Sequence, residues 1–259
     1  MNAAKTELLV TELKDEIYSK LHHRTLQEYA GQPIIWEDQL FYLLLPNFNG
    51  GQWTAHHQVA ASCVAMIQTA LTTHDLVMEH NATTKAQQLT VLAGDYYSGM
   101  YYATLASLPN IQLVQALSTA VADISERKTA LYEPNDKTFS KWLEQFEVIV
   151  SKAVEQFYHH FNFGSYTPLM KKGMLIGRLF DELKALENNS STIRFDDITS
   201  DEPLSNEQVI AKIHHVIQQE ATCYTTQIHA SSLLSDELKI VMLSRVEALI
   251  SEQQLTREG

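Results

Sequence analysis

The chain of 259 residues is 45% hydrophobic and carries a formal charge of −12, from 31 acidic and 19 basic side chains. That length supports a sizeable core, while the acidic balance, without any Lys/Arg stripe interleaved with aromatics, argues against a nucleic-acid partner. Nine Gly and six Pro are few for a fold rich in turns, and the long runs of Ala, Leu, Gln, Glu and Lys favour helix, so an all-α fold is expected.

Taken in chain order, the first helix is expected from about Ala4 to Tyr29, with Leu9, Leu13, Ile17 and Leu21 as its buried stripe and Gly31 and Pro33 as its stop. This amphipathic start does not have the pattern of a signal peptide. A short helix from Trp36 to Leu45 should end at Pro46, followed by a turn over Asn47 to Gly51. Thr54 is a plausible N-cap for a third helix running towards His80. Next comes VLAGDYYSGMYYATLA, Val91 to Ala106, in a helix begun by Thr83 or Thr84. Leu89, Leu92, Tyr96, Gly99, Ala103 and Ala106 alternate spacings of three and four and are read as its packed face, with Asp95 requiring a partner group from elsewhere.

Further helices are expected from Ile111 to about Tyr132, Lys137 to about Phe161, Leu169 to Leu186, Asn206 to Ala230 and Ser235 to Glu252. A polar stretch over about 187–207 is the one long loop. With no internal repeat, residues 1–259 are read as a single helical bundle. No uncharged apolar run is long enough to cross a bilayer. Cys63 and Cys223 are spaced neither as a zinc site nor as a disulfide framework, which suits a reducing compartment, and the cytoplasm is the expected location.

Eight of the eleven histidines lie in adjacent pairs, His22/His23, His56/His57, His159/His160 and His214/His215. Helical neighbours diverge by about 100 degrees, and no HxxxH pair occurs, so these histidines are read as structural rather than metal-binding. Phosphate loops, dinucleotide-binding glycine runs and nucleophile elbows are absent from the sequence, which sets those enzyme classes aside.

Two segments carry the functional signal. ALTTHDLVMEH, Ala70 to His80, is followed by LAGDYYSGMYYATLASL, Leu92 to Leu108. This order resembles the trans-prenyl diphosphate synthases, whose third-helix region carries His-Asp-Asp-x-x-Asp and whose next long helix carries Leu-x-Gly-Asp. The resemblance implies an all-α isoprenoid-synthase-type bundle. In catalytic members the aspartate-rich motif holds Mg²⁺, which needs several hard oxygen ligands, against an allylic diphosphate. Here the motif reads Asp75, Leu76, Val77, Met78, Glu79, leaving Asp75 and Glu79 as weak metal candidates, four apart on an expected helix face.

The family's Gly-Gly-Lys-Arg turn corresponds to Gly50, Gly51, Gln52, Trp53, without its two charges. Lys171 and Lys172 resemble a remnant of a downstream lysine segment and are read as helix-surface residues. The only candidate for a second aspartate-rich motif, Asp196 and Asp197, has polar flanks and reads as a solvated turn.

Loss at all these places, with LAGDYY and a following Ile124-Ser125-Glu126-Arg127-Lys128 helix, resembles the small, non-catalytic subunit of two-component long-chain prenyl diphosphate synthases. The resemblance implies a catalytic large subunit that carries the aspartate-rich motifs and the Mg²⁺. Together they would extend farnesyl diphosphate with isopentenyl diphosphate to a heptaprenyl, or hexaprenyl, product for menaquinone side chains. On this chain no catalytic residue is implied. Tyr96, Tyr97, Gly99, Met100, Tyr101 and Tyr102 are candidates for the subunit interface or the wall of a product tunnel, core filling being the alternative, and Asp95 for a structural hydrogen-bonding role. Two other readings stay open: a self-sufficient prenyl or terpene synthase using Asp75, Glu79 and Asp196/Asp197, and a helical adaptor unconnected with isoprenoids.

Overall fold

The computed structural model describes residues 2–77, 84–131, 138–188 and 204–258, with side chains to residue 251. Every regular element among them is helical. The chain divides into two compact units, Ala4–Val121 with Ala153–Phe163, and Met1–Ala3 with Ala122–Lys152 and Gly164–Gly259.

The first unit begins with α1, Ala3–Leu21, and α2, Arg24–Ala30, where one continuous helix was expected. The break comes at the first histidine pair: His23 is extended, with φ of −148 degrees, and its Nδ1 accepts the Leu26 N–H, so the imidazole caps a new helix. Val10, Leu13, Ile17 and Leu21 form the buried stripe of α1. Leu9, placed on that stripe from the sequence, is only half-buried.

Helix α3, Glu37–Phe48, runs through Pro46 instead of stopping before it. Proline has no N–H to give the carbonyl four residues back, Tyr42 O. The buried Tyr158 hydroxyl donates to that carbonyl, so the break in the ladder is satisfied from another helix.

Thr54 caps α4, Ala55–Asp75, as expected, in a reciprocal arrangement with His57. From Ala60 to Ala70 every residue of α4 is buried, which makes it the central helix of this unit. It packs along α5, Lys85–Ala106, begun by Thr84, and α5 also receives α2. Helix α6, Ile111–Ala130, is opened by Asn110 Oδ1, which accepts the Leu113 N–H, and buries Leu113, Leu117, Ala120 and Ile124. Helix α7, Phe139–His160, supplies Phe157 and Tyr158 to the core of this unit.

In the second unit α8, Thr167–Glu187, pairs with α9, Asn206–Ala230. The inner face of α9 is Val209, Ile213, Ile217, Ala221, Tyr224 and Ile228, a three- and four-residue rhythm. Helix α10, Asp236–Glu258, packs on α9. Among the described residues no helix is long and apolar enough to cross a membrane.

Candidate functional site

The two motif segments meet at the α4–α5 seam. The imidazole of His74, in the last turn of α4, lies against Gly94, and His74 Nε2 is 3.7 Å from Asp95 Oδ1. The partner that Asp95 was expected to need is therefore the histidine of the HDLVME segment. Asp95 itself is not buried, its side chain being 65% exposed, so no large desolvation cost attaches to it.

The packed face of α5 differs from the one expected. Thr90, Ala93, Gly94, Tyr97, Tyr101 and Leu105 are buried, whereas Leu92, Gly99, Ala103 and Ala106 face solvent and Leu89 and Tyr96 are half-buried. Both series satisfy the helical rhythm, and they differ by a rotation of the helix. Nearly every side of α5 is apolar or small, so the pattern alone left the register undetermined.

The structure sorts the aromatic candidates accordingly. Tyr97 and Tyr101 belong to this chain's own core, where burial raises both phenol pKa values, and the Cys63 thiol, pushed up to about 12 by burial, lies 3.9 Å from Tyr101 O. Tyr96 turns towards α2, with its ring edge against His23 at 5.2 Å and its hydroxyl 3.5 Å from His22 O. Met100 is half-buried. Tyr102, 49% exposed, lies against Tyr101 at 4.2 Å between ring centroids, and no atom lies within 4 Å of a β-carbon placed on Gly99.

Leu92, Asp95, Gly99, Tyr102, Ala103 and Ala106 thus form one exposed stripe on α5. From Tyr96 to Ala122 the chain contains no Asp, Glu, Lys, Arg or His. Gln115, Ser118 and Ile111, the last 69% exposed, extend the uncharged exposed surface along α6. An exposed helix surface ordinarily carries charge, and this one does not beyond Asp95.

Helix α4 ends at Asp75, with Leu76 as its C-cap; Glu79 lies outside the described residues, as do Asp196 and Asp197. Leu76 and Val77 offer no ligand oxygen from their side chains, and no three His, Cys, Asp or Glu side chains converge among the described residues.

The Gly50–Trp53 turn is used for packing. Gly50 has φ of +82 degrees, and a β-carbon on Gly51 would lie 2.7 Å from Pro46 O. The Trp53 indole stacks on His57 at 5.3 Å and faces Phe163 at 6.5 Å, while Phe161 lies 4.5 Å from His57. Burial in this cluster and the neighbouring His56 lower the His57 pKa. Trp53 Nε1 donates to Gln58 Oε1 at 3.1 Å, and Gln58 Nε2 donates to Glu16 at 3.0 Å. Lys172 forms an ion pair with Glu220 that joins α8 to α9.

Comparison with known proteins places this arrangement. Residues 23–229 match the family model of heptaprenyl diphosphate synthase (HEPPP synthase) subunit 1. The chain belongs to that family. Heptaprenyl diphosphate synthase component 1 of Geobacillus stearothermophilus is 44% identical over 85 residues, a match spanning 32% of this chain and 39% of that protein. The fold is that of trans-prenyl synthases. A geranylgeranyl pyrophosphate synthase from Lactobacillus brevis superposes with a TM-score of 0.65 at 13% identity, over 95% of this chain and 96% of its own. The heptaprenyl diphosphate synthase of Staphylococcus aureus gives 0.63 at 13% identity, over 95% and 98%.

Proposed function

We propose that this chain is the small, non-catalytic subunit of a two-component heptaprenyl, or hexaprenyl, diphosphate synthase, inactive alone and setting product length within the complex. The observation that carries the reading is the exposed stripe of α5, whose apolar and small residues Gly99, Tyr102, Ala103 and Ala106 carry no charge beyond Asp95 at its N-terminal end, on the same helix that keeps Gly94 and Asp95 against His74. Tyrosine is enriched in interface cores, and small residues allow a partner helix to approach closely.

On this reading residues 1–259 act as one isoprenoid-synthase-like domain. The occupant of the stripe is a catalytic subunit that carries the aspartate-rich motifs and Mg²⁺. The complex extends farnesyl diphosphate with isopentenyl diphosphate, in the cytoplasm, for menaquinone side chains. Mg²⁺ assists departure of the diphosphate when bound on the partner. This chain contributes the shape of the surface along which the growing tail or the partner helix lies. Tyr97 and Tyr101, buried in its own core, serve that surface only by fixing the position of α5.

Co-expression of the chain with an aspartate-rich prenyl diphosphate synthase homologue from the same source, followed by sedimentation, tests the reading. A stable two-component particle is the expected result. Two separately sedimenting proteins at micromolar concentration would refute it.

A further inference from the structure

The central helix α4, which also packs on α3, has one side that faces neither α5 nor α1. His74 against Gly94 and Cys63 against Tyr101 mark the side facing α5, and Ser62 and Gln58, both donating to Glu16, mark the side facing α1. At about 100 degrees per residue, Gln68 and Thr72 fall on a third side, in line with Ala61, Val64 and Asp75.

Gln68 is 2% exposed, and neither its amide nitrogen nor its amide oxygen has a hydrogen-bond partner; the buried Thr72 hydroxyl has none either. Thr72 also differs from Thr73, Thr90, Thr104 and Thr129, each of which donates to the carbonyl four residues before it. Its hydroxyl does not bond back to its own helix. An amide that both donates and accepts, one turn from a free hydroxyl, requires a hydrogen-bonding occupant, because buried polar groups are rarely left unsatisfied.

We infer that the Gln68–Thr72 stripe is a hydrogen-bonding wall that holds water and excludes the hydrocarbon tail of a prenyl diphosphate from the interior of this chain. A tail has no donor or acceptor and would leave all three polar atoms bare, whereas water satisfies them. Length control by this chain then acts from the outer stripe of α5 and not from a tunnel through its own core. The inference deepens the proposed function and rests on it.

Two measurements test it. In the assembled complex, farnesyl diphosphate with a photoactivatable diazirine at its hydrocarbon end is extended and irradiated. Label is expected on the catalytic partner and on the α5 stripe, and label on Ala61, Val64 or Gln68 would overturn the inference. Failure of any complex to form refutes the subunit reading instead, and the second measurement is independent of it. The isolated full-length chain is titrated with a fluorescent farnesyl probe, wild type beside the Gln68→Leu/Thr72→Val double variant, with folding checked by circular dichroism. No saturable binding by wild type and at least about tenfold tighter binding by the variant are expected. Saturable wild-type binding that Val64→Trp abolishes, or a folded double variant that gains nothing, would overturn the inference.

Discussion

The imidazole of His74 occupies the space that a side chain at position 94 would need: a β-carbon on Gly94 would lie 2.5 Å from His74 Cε1 and 2.6 Å from Nε2. Five residues further along the same helix Gly99 has nothing within 4 Å. Two glycines of one helix are thus held for different reasons, one by contact inside the chain and one by an open surface. Gly99→Ala is expected to stabilise the isolated chain by up to about 1 kcal/mol, the usual difference in helix propensity. Gly94→Ala should show no such gain, because displacing the His74 ring offsets it. Urea denaturation of the two variants beside wild type checks the contrast.

Tyr158→Phe removes the donor to Tyr42 O and leaves a buried carbonyl bare, at an expected cost of about 1–3 kcal/mol. Pro46→Ala returns an N–H to the same carbonyl. The double variant should therefore be more stable than Tyr158→Phe alone, as measured in a double-mutant cycle. If the two losses simply add, the Pro46 gap is not what holds the tyrosine.

Glu16 links α1 to α4. Burial opposes its ionisation, yet hydrogen bonds from Gln58, Lys20 and Ser62 more than offset that and hold its pKa below the ordinary 4.5. A depressed carboxyl pKa means the unfolded chain binds the proton more tightly. Its contribution to stability is complete above pH 4.5 and is lost as pH falls through the folded-state value. Glu16→Gln should therefore be less stable than wild type at pH 7, with the difference shrinking in acid. Urea midpoints across that range are the measurement.

The parts of the fold legible in the sequence were those with local punctuation. Thr54 caps its helix as read, and Asn206–Ala230 has the bounds read from its pattern. Where the deciding side chain was not read as a cap or a donor, the sequence misled. A Tyr158 hydroxyl lets α3 pass through Pro46, and a histidine side chain splits the first helix. Of the candidate site, the replaced residues of DLVME and GGQW were plain in the sequence, as was the small and aromatic make-up of LAGDYY. The rotation of α5 was hidden because small residues lie on both its buried and its exposed sides.

The stripe itself can be tested without disturbing the core. Tyr102→Ala should weaken assembly with the catalytic subunit by tenfold or more, about 1.4 kcal/mol, while leaving the isolated chain within about 0.5 kcal/mol of wild type. Gly99→Trp, which has room in the isolated chain, should block assembly or shorten the product. Titration calorimetry together with product chromatography separates the two effects. Intact assembly with unchanged products in both variants would remove α5 from the interface.

The central claim is that this chain has no prenyl transfer activity of its own and completes a partner that does. The direct measurement is turnover of farnesyl diphosphate, isopentenyl diphosphate and Mg²⁺ by this chain, by the catalytic subunit and by their mixture, with product length read by mass spectrometry. The account predicts no elongation by this chain alone, and a single long product, of seven or six isoprene units, only from the mixture. Elongation by the isolated chain, or the same product from the catalytic subunit with and without it, would contradict the account.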